Sequence, residues 1–171
     1  FDFRGFLNNQ ASASGGAIYA TDGANIFLNG NRYCSYLAPY TCYGHNSTPV
    51  NLSSNSASRG GAIYATGAAT TVSGNNLRVN LNTATNGGAV YLHNGASFQT
   101  KATYDNGAAG PASHCWSDGK CNQFIGNKTT EDTIYNQTGS IFYVNKSQLN
   151  ISHSHIEDNQ AYWGSVLYAY G

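Results

Sequence analysis

The sequence predicts an all-β chain folded as a parallel β-helix, a solenoid of about five coils with roughly 25 residues in each. Three observations predict it. The word GGAIYA occurs at Gly15–Ala20 and again at Gly60–Ala65, and looser forms of it recur along the chain. No stretch carries the i, i+3, i+4, i+7 stripe of an amphipathic helix; the apolar residues come in short runs cut by Gly, Asn, Asp and Ser, as strands and turns do. The interval between the equivalent tyrosines Tyr64 and Tyr91 is 27 residues. That suits one solenoid coil and is too short for a propeller blade of roughly 40 to 50 residues.

Taken in order, five copies cover the chain. The first, Phe6–Ala20, reads FLNNQASASGGAIYA and holds one inserted residue. The second and third, Leu52–Ala65 and Val79–Leu92, fit apolar-x-x-Asn-x-Ala-x-x-Gly-Gly-Ala-[Ile/Val]-Tyr without a gap. The fourth, Phe124–Asn136, reads FIGNKTTEDTIYN, one residue short and without the glycines. The fifth, Ile156–Ala169, keeps the frame with Gly164 and Ser165 in the glycine pair. Seven or eight residues beyond the tyrosines, Phe27, Val72, Phe98 and Phe142 mark a further apolar position, so each copy is expected to hold three short strands. The long intervals Tyr19–Tyr64 and Tyr91–Tyr135 each contain one cysteine pair. They read as single coils with insertions at about 30–48 and 104–122, within one domain spanning residues 1–171.

Each position of the repeat has a physical task. The glycine pair permits a turn with positive φ and a close approach between coils. Strand alternation then places Ile18, Ile63, Val90, Ile134 and Leu167 on one face and Tyr19, Tyr64, Tyr91, Tyr135 and Tyr168 on the other. The aliphatic set fits a narrow interior. The tyrosines are therefore expected to form an outward aromatic ladder at the strand spacing of roughly 4.8 Å. Asn9, Asn55, Asn82, Asn127 and Asn159 recur at one corner, where stacked amides can satisfy one another and the turn backbone.

Composition narrows the function classes. Eight basic and eight acidic side chains balance, so there is no electrostatic footprint for nucleic acid. The apolar runs are too short for a bilayer-spanning helix, and no membrane insertion is expected. Cys34 with Cys42 and Cys115 with Cys121 form close pairs in Gly-, Ser- and Tyr-rich loops; two local disulfides, and so an oxidising extracellular setting, are the expectation. A four-thiol zinc site would want tighter knuckles than these. Sequons at Asn46, Asn51, Asn136, Asn145 and Asn150 are candidate N-glycan acceptors; Asn127 also begins one, in conflict with its place in the asparagine ladder.

GGA-[ILV] combined with F-x-x-N resembles the polymorphic outer membrane protein repeat. Gly15-Gly16-Ala17-Ile18, Gly60-Gly61-Ala62-Ile63 and Gly87-Gly88-Ala89-Val90 carry the first motif, and Phe6-Leu7-Asn8-Asn9 and Phe124-Ile125-Gly126-Asn127 the second. The resemblance implies a right-handed parallel β-helix displayed outside the cell, in adhesion or as a structural stalk.

Pectin-degrading enzymes are similar in fold, but they gather several carboxylates with a basic residue on one outer face. Here the acids sit mostly alone in turns; only Glu131-Asp132 and Glu157-Asp158, on consecutive coils, could meet around calcium. His153 and His155 have no third ligand placed beside them. No catalytic residue, metal site or cofactor is expected, and the chain is not expected to be an enzyme. It opens at Phe1 without Met or an apolar leader, as a mature or excised piece would. FDFRGF at the start and SVLYAYG at the end are strand-like and lack caps. The expectation is a structural glycoprotein that stacks head to tail on further copies of itself into a filament or surface stalk, with N-linked glycans as its other partners. An adhesin binding glycans or a host surface is the alternative, and a polysaccharide-lyase-like enzyme the more distant one.

Overall fold

The computed structural model describes residues 5–30, 49–101, 122–130, 140–162 and 166–171 of the chain. Every regular element among them is a strand, and every strand pairing is parallel. The strands fall into four sheets that the chain visits in turn. The first holds β1 (Phe6–Leu7), β4 (Val50–Ser53), β8 (Leu77–Asn80), β12 (Asn122–Ile125) and β16 (Ser154–Glu157). The second holds β5 (Ser56–Arg59), β9 (Thr83–Asn86) and β13 (Lys128–Thr129), extended by bridges from Gln10 to Ser56 and from Lys128 to Gln160. The third holds β2 (Ile18–Ala20), β6 (Ile63–Thr66), β10 (Val90–His93), β14 (Phe142–Asn145) and β17 (Leu167–Tyr170). The fourth holds β3 (Asn25–Asn29), β7 (Thr71–Asn75), β11 (Ser97–Lys101) and β15 (Gln148–Asn150). Each strand pairs with its counterparts one winding before and after, which is the arrangement of a parallel β-helix.

A winding thus has four strands, where the sequence led to three. The additional break lies at the asparagine corner. Asn8, Ser54, Leu81, Gly126 and Asp158 occupy equivalent places there, and all five have φ between 52° and 66°. That left-handed conformation bends the chain sharply between the first and second sheets. Hydropathy does not mark the bend, because one polar or apolar residue looks like another to an alternation count.

The second corner belongs to the glycine pair, and the two glycines divide its demands. Gly15, Gly60 and Gly87 have φ of 68°, 65° and 65°. Gly16 and Gly61 have ordinary φ but no space: a Cβ on Gly61 would lie 2.2 Å from the carbonyl oxygen of Gly88, and one on Gly16 2.1 Å from that of Gly61. Coil therefore rests on coil through bare backbone.

Inside, the third sheet contributes the column Ile18, Ile63, Val90, Phe142 and Leu167. Phe142 takes the seat that the spacing assigns to Ile134, which lies outside the described residues. In the fourth sheet the inward column is Ile26, Val72, Phe98 and Leu149. Ile26 displaces Phe27, whose ring is 56% exposed, so the expected set of Phe27, Val72, Phe98 and Phe142 mixes two sheets and two faces. Strand phase changes every side chain's face with a slip of one residue, and counting from the tyrosine crosses a turn of variable length. Phe98 meets Phe124 edge-on, centroids 6.2 Å apart, and Phe124 meets Phe142 at 5.0 Å, tying the fourth, first and third sheets together across the interior. Polar intrusions are bonded. Asn122, fully buried at the start of β12, accepts from the Leu77 N–H at 3.1 Å and donates to the carbonyls of Lys101, Ser152 and His153 at 3.1 to 3.3 Å. Because Asn122 belongs to a strand, the second insertion ends before it.

Candidate functional site

Two columns of identical side chains run along the solenoid, and they gather the five ladder asparagines and four of the five tyrosines singled out by the sequence. The first is the asparagine corner. Oδ1 of Asn55 accepts from the backbone N–H of Asn9 at 3.0 Å and from its Nδ2 at 2.9 Å. Asn82 serves Asn55 in the same way, Asn127 serves Asn82, and Asn159 serves Asn127, all at 2.9 to 3.0 Å. Each Nδ2 from Asn55 onward also donates backwards, to the carbonyls of Phe6, Leu52, Val79 and Phe124. Asn55, Asn82 and Asn127 are buried, and leaving any of these groups unbonded would cost about 1 to 3 kcal/mol. In the bonds between asparagines the accepting Oδ1 always belongs to the later winding, so the column has a direction.

The second column is aromatic and lies on the outer face of the third sheet. Tyr19, Tyr64, Tyr91, Tyr143 and Tyr168 stack with centroid separations of 5.1, 5.2, 4.4 and 5.1 Å and interplanar angles between 5° and 26°. The register pairs Tyr91 with Tyr143 and Tyr143 with Tyr168. The rung assigned by spacing to Tyr135 is therefore held by Tyr143, and Tyr135 lies outside the described residues. A sequence signal for it exists: Gly139-Ser140-Ile141-Phe142-Tyr143 matches Gly164-Ser165-Val166-Leu167-Tyr168, so the fourth copy keeps a glycine position eight residues later than the frame ending at Tyr135 places it.

An outward column is not an open one. Tyr64 is 7% exposed and Tyr91 9%, against 56% for Tyr19. A sugar ring needs a free aromatic face, and Tyr64, Tyr91 and Tyr143 have a neighbouring ring on both of theirs. Within the column, only the terminal rungs Tyr19 and Tyr168 have a single stacked neighbour. Burial, with the hydrogen bond to Tyr143 and the nearby phenols, pushes the Tyr91 hydroxyl up to about 12 against the opposing pull of the Arg59 guanidinium.

The remaining candidates are scattered. Asn127 spends its side-chain amide inside the asparagine column, where Nδ2 donates to the Val79 carbonyl and to Asn159 Oδ1. Asn51 lies half-buried on β4, where its Oδ1 accepts from the Ser53 hydroxyl. Asn145 lies on β14 with a buried Oδ1 that has no hydrogen-bond partner, and Asn150 is exposed at the end of β15. Asn46, Asn136, Glu131, Asp132 and all four cysteines, Cys34, Cys42, Cys115 and Cys121, lie outside the described residues. His153 is exposed in a turn, and His155 Nε2 lies 2.5 Å from Glu157 Oε2. Among the described residues no three His, Cys, Asp or Glu side chains are placed to hold a metal ion, and no helix is long and apolar enough to cross a membrane.

Residues 6–21 and 49–66 match the Chlamydia polymorphic membrane protein repeat. No curated protein and no solved structure matches the chain. Each matched segment runs from the first sheet through the asparagine corner and the glycine pair to the tyrosine strand, the parts of a winding that stack on the next. The chain is thus a stack of parallel sheets that carries the Chlamydia polymorphic membrane protein repeat.

Proposed function

We propose that the chain is a non-catalytic structural solenoid displayed at the cell surface, where it forms a stalk or filament by stacking end to end on further copies of itself. The observation that carries this reading is that the motif's own residues face along the axis. Glycine, asparagine and tyrosine each meet the same residue type in the next winding, so the recurring chemistry of the repeat is spent on coil-to-coil contact. The repeat's membrane-protein family supports placement at the surface. In the same reading the winding is right-handed, Cys34–Cys42 and Cys115–Cys121 close the two insertions as disulfides, and glycans on Asn51, Asn145 or Asn150 decorate the sides without obstructing the ends.

Sedimentation and negative-stain electron microscopy across a wide concentration range test the stacking. Rods that lengthen with concentration at constant width are expected. A chain that remains monomeric up to millimolar concentration would remove the reading.

A further inference from the structure

Every amide nitrogen of the asparagine corner donates to the protein, whereas the amides on the outer face of the fourth sheet are unspent. With Ile26, Val72, Phe98 and Leu149 turned inward, the next position along each strand gives an outward column of Phe27, Ser73, Gln99 and Asn150 on the flank of four windings. Phe27 is 56% exposed and meets no other aromatic ring among the described residues. Ser73, between Phe27 and Gln99, is only 6% exposed, so ring and amide close over its hydroxyl and the face is level there. Gln148 points outward one column away. The side-chain amides of Gln99, Gln148 and Asn150 make no hydrogen bond to another described residue. Lys101 is the only charged residue in the four strands.

We propose that this flank binds a neutral, β-linked oligosaccharide lying along the solenoid axis, with one sugar ring against Phe27 and the hydroxyls of its neighbours on the amides of Gln99, Gln148 and Asn150. A hydroxyl both donates and accepts, and a side-chain amide offers both functions on one rigid plane. The phenyl ring supplies the apolar surface that the C–H face of a hexose needs, and a β-linked chain, with its hydroxyls equatorial, presents such faces on a flat ribbon. One positive charge makes no field able to hold an acidic polymer or a nucleic acid, so the ligand that matches is uncharged. Successive windings lie roughly 4.8 Å apart, so the outward groups recur at a regular step along the axis, as the hydroxyls of an extended sugar chain do. The site goes beyond the stalk reading and needs only a single copy of the chain.

Titration of the chain with cellohexaose, followed by the NMR signals of its backbone and side-chain amides, tests the site. The unglycosylated chain is used, since a glycan on Asn150 would lie over the same face. Saturable shifts are expected in β7, β11 and β15 and in the side-chain amides of Gln99, Gln148 and Asn150. Phe27→Ala is expected to weaken the binding by about three- to tenfold, the worth of one ring contact. Phe27→Tyr should restore it, and Lys128→Ala, on the second sheet, should leave it unchanged. Shifts confined to another sheet, or no shift at millimolar sugar, overturn the proposal. Tighter binding of polygalacturonate than of cellohexaose overturns it as well, because charge and not the neutral face would then choose the ligand. Circular dichroism identifies a variant that has lost its fold, and the wild-type shift map decides the matter without any substitution.

Discussion

Gly60 and Gly61 are adjacent and interchangeable on paper, yet the structure asks different things of them. Gly60 needs its positive φ, which costs a residue with a Cβ roughly 1 to 2 kcal/mol. Gly61 needs the absence of the Cβ itself, since that atom would lie 2.2 Å from a backbone oxygen of the next winding and 2.9 Å from the backbone of Thr83. Neither obstacle can swing aside as a side chain would. Gly60→Ala is therefore expected to lower stability by about 1 to 2 kcal/mol, and Gly61→Ala by clearly more, because two windings must part along their length. Urea unfolding of both variants checks the order; equal losses would mean that the contact relaxes. The glycine pair and the five asparagines are legible in the sequence because each needs one residue type for a backbone or amide reason. Ser54 and Leu81 are not, since neither residue type signals the left-handed corner it occupies.

Among the elements, the third sheet carries the clearest chemical consequence. Burial in it, helped by the neighbouring phenols, holds Tyr91 neutral well above the ordinary tyrosine range. Below pH 10 the hydroxyl is protonated in both folded and unfolded chains and its environment is pH-neutral for folding. Between pH 10 and about 12 the unfolded chain ionises while the folded one keeps its proton, so stability falls as pH rises through that window. Unfolding midpoints taken from pH 9 to 12 should decline, and Tyr91→Phe should make the decline shallower; an unchanged slope would assign the effect to other groups. Four rungs of the column, Tyr19, Tyr64, Tyr91 and Tyr168, are readable from spacing. Tyr143 is obscured because it follows Asn127 by 16 residues, where Tyr64 follows Asn55, Tyr91 follows Asn82 and Tyr168 follows Asn159 by nine. The four-strand winding is hidden for a related reason: β5, β9 and β13 are short, polar and built of Ser, Thr, Asn, Ala and charged residues. A pattern search for apolar alternation passes over them, although they are strands by virtue of their neighbours.

At the scale of the whole molecule, a stack of repeats has stability distributed unevenly along its axis. In the middle windings Leu52, Ile63, Leu77, Val79 and Leu92 are wholly buried, while Ile156 and Leu167 in the last one are 43% and 48% exposed. Hydrogen exchange in dilute solution should find the slowest amides in β6, β8 and β10 and the fastest in β16 and β17. A uniform profile would show instead that the chain opens only as one unit. The direction of the asparagine column has a bearing on the same axis. Main-chain dipoles in a sheet largely cancel, but the side-chain carbonyls of Asn55, Asn82, Asn127 and Asn159 all point toward the winding before them. These four side-chain dipoles are parallel, so their moments add within the column, with its negative pole at the winding of Asn9 and its positive pole at that of Asn159.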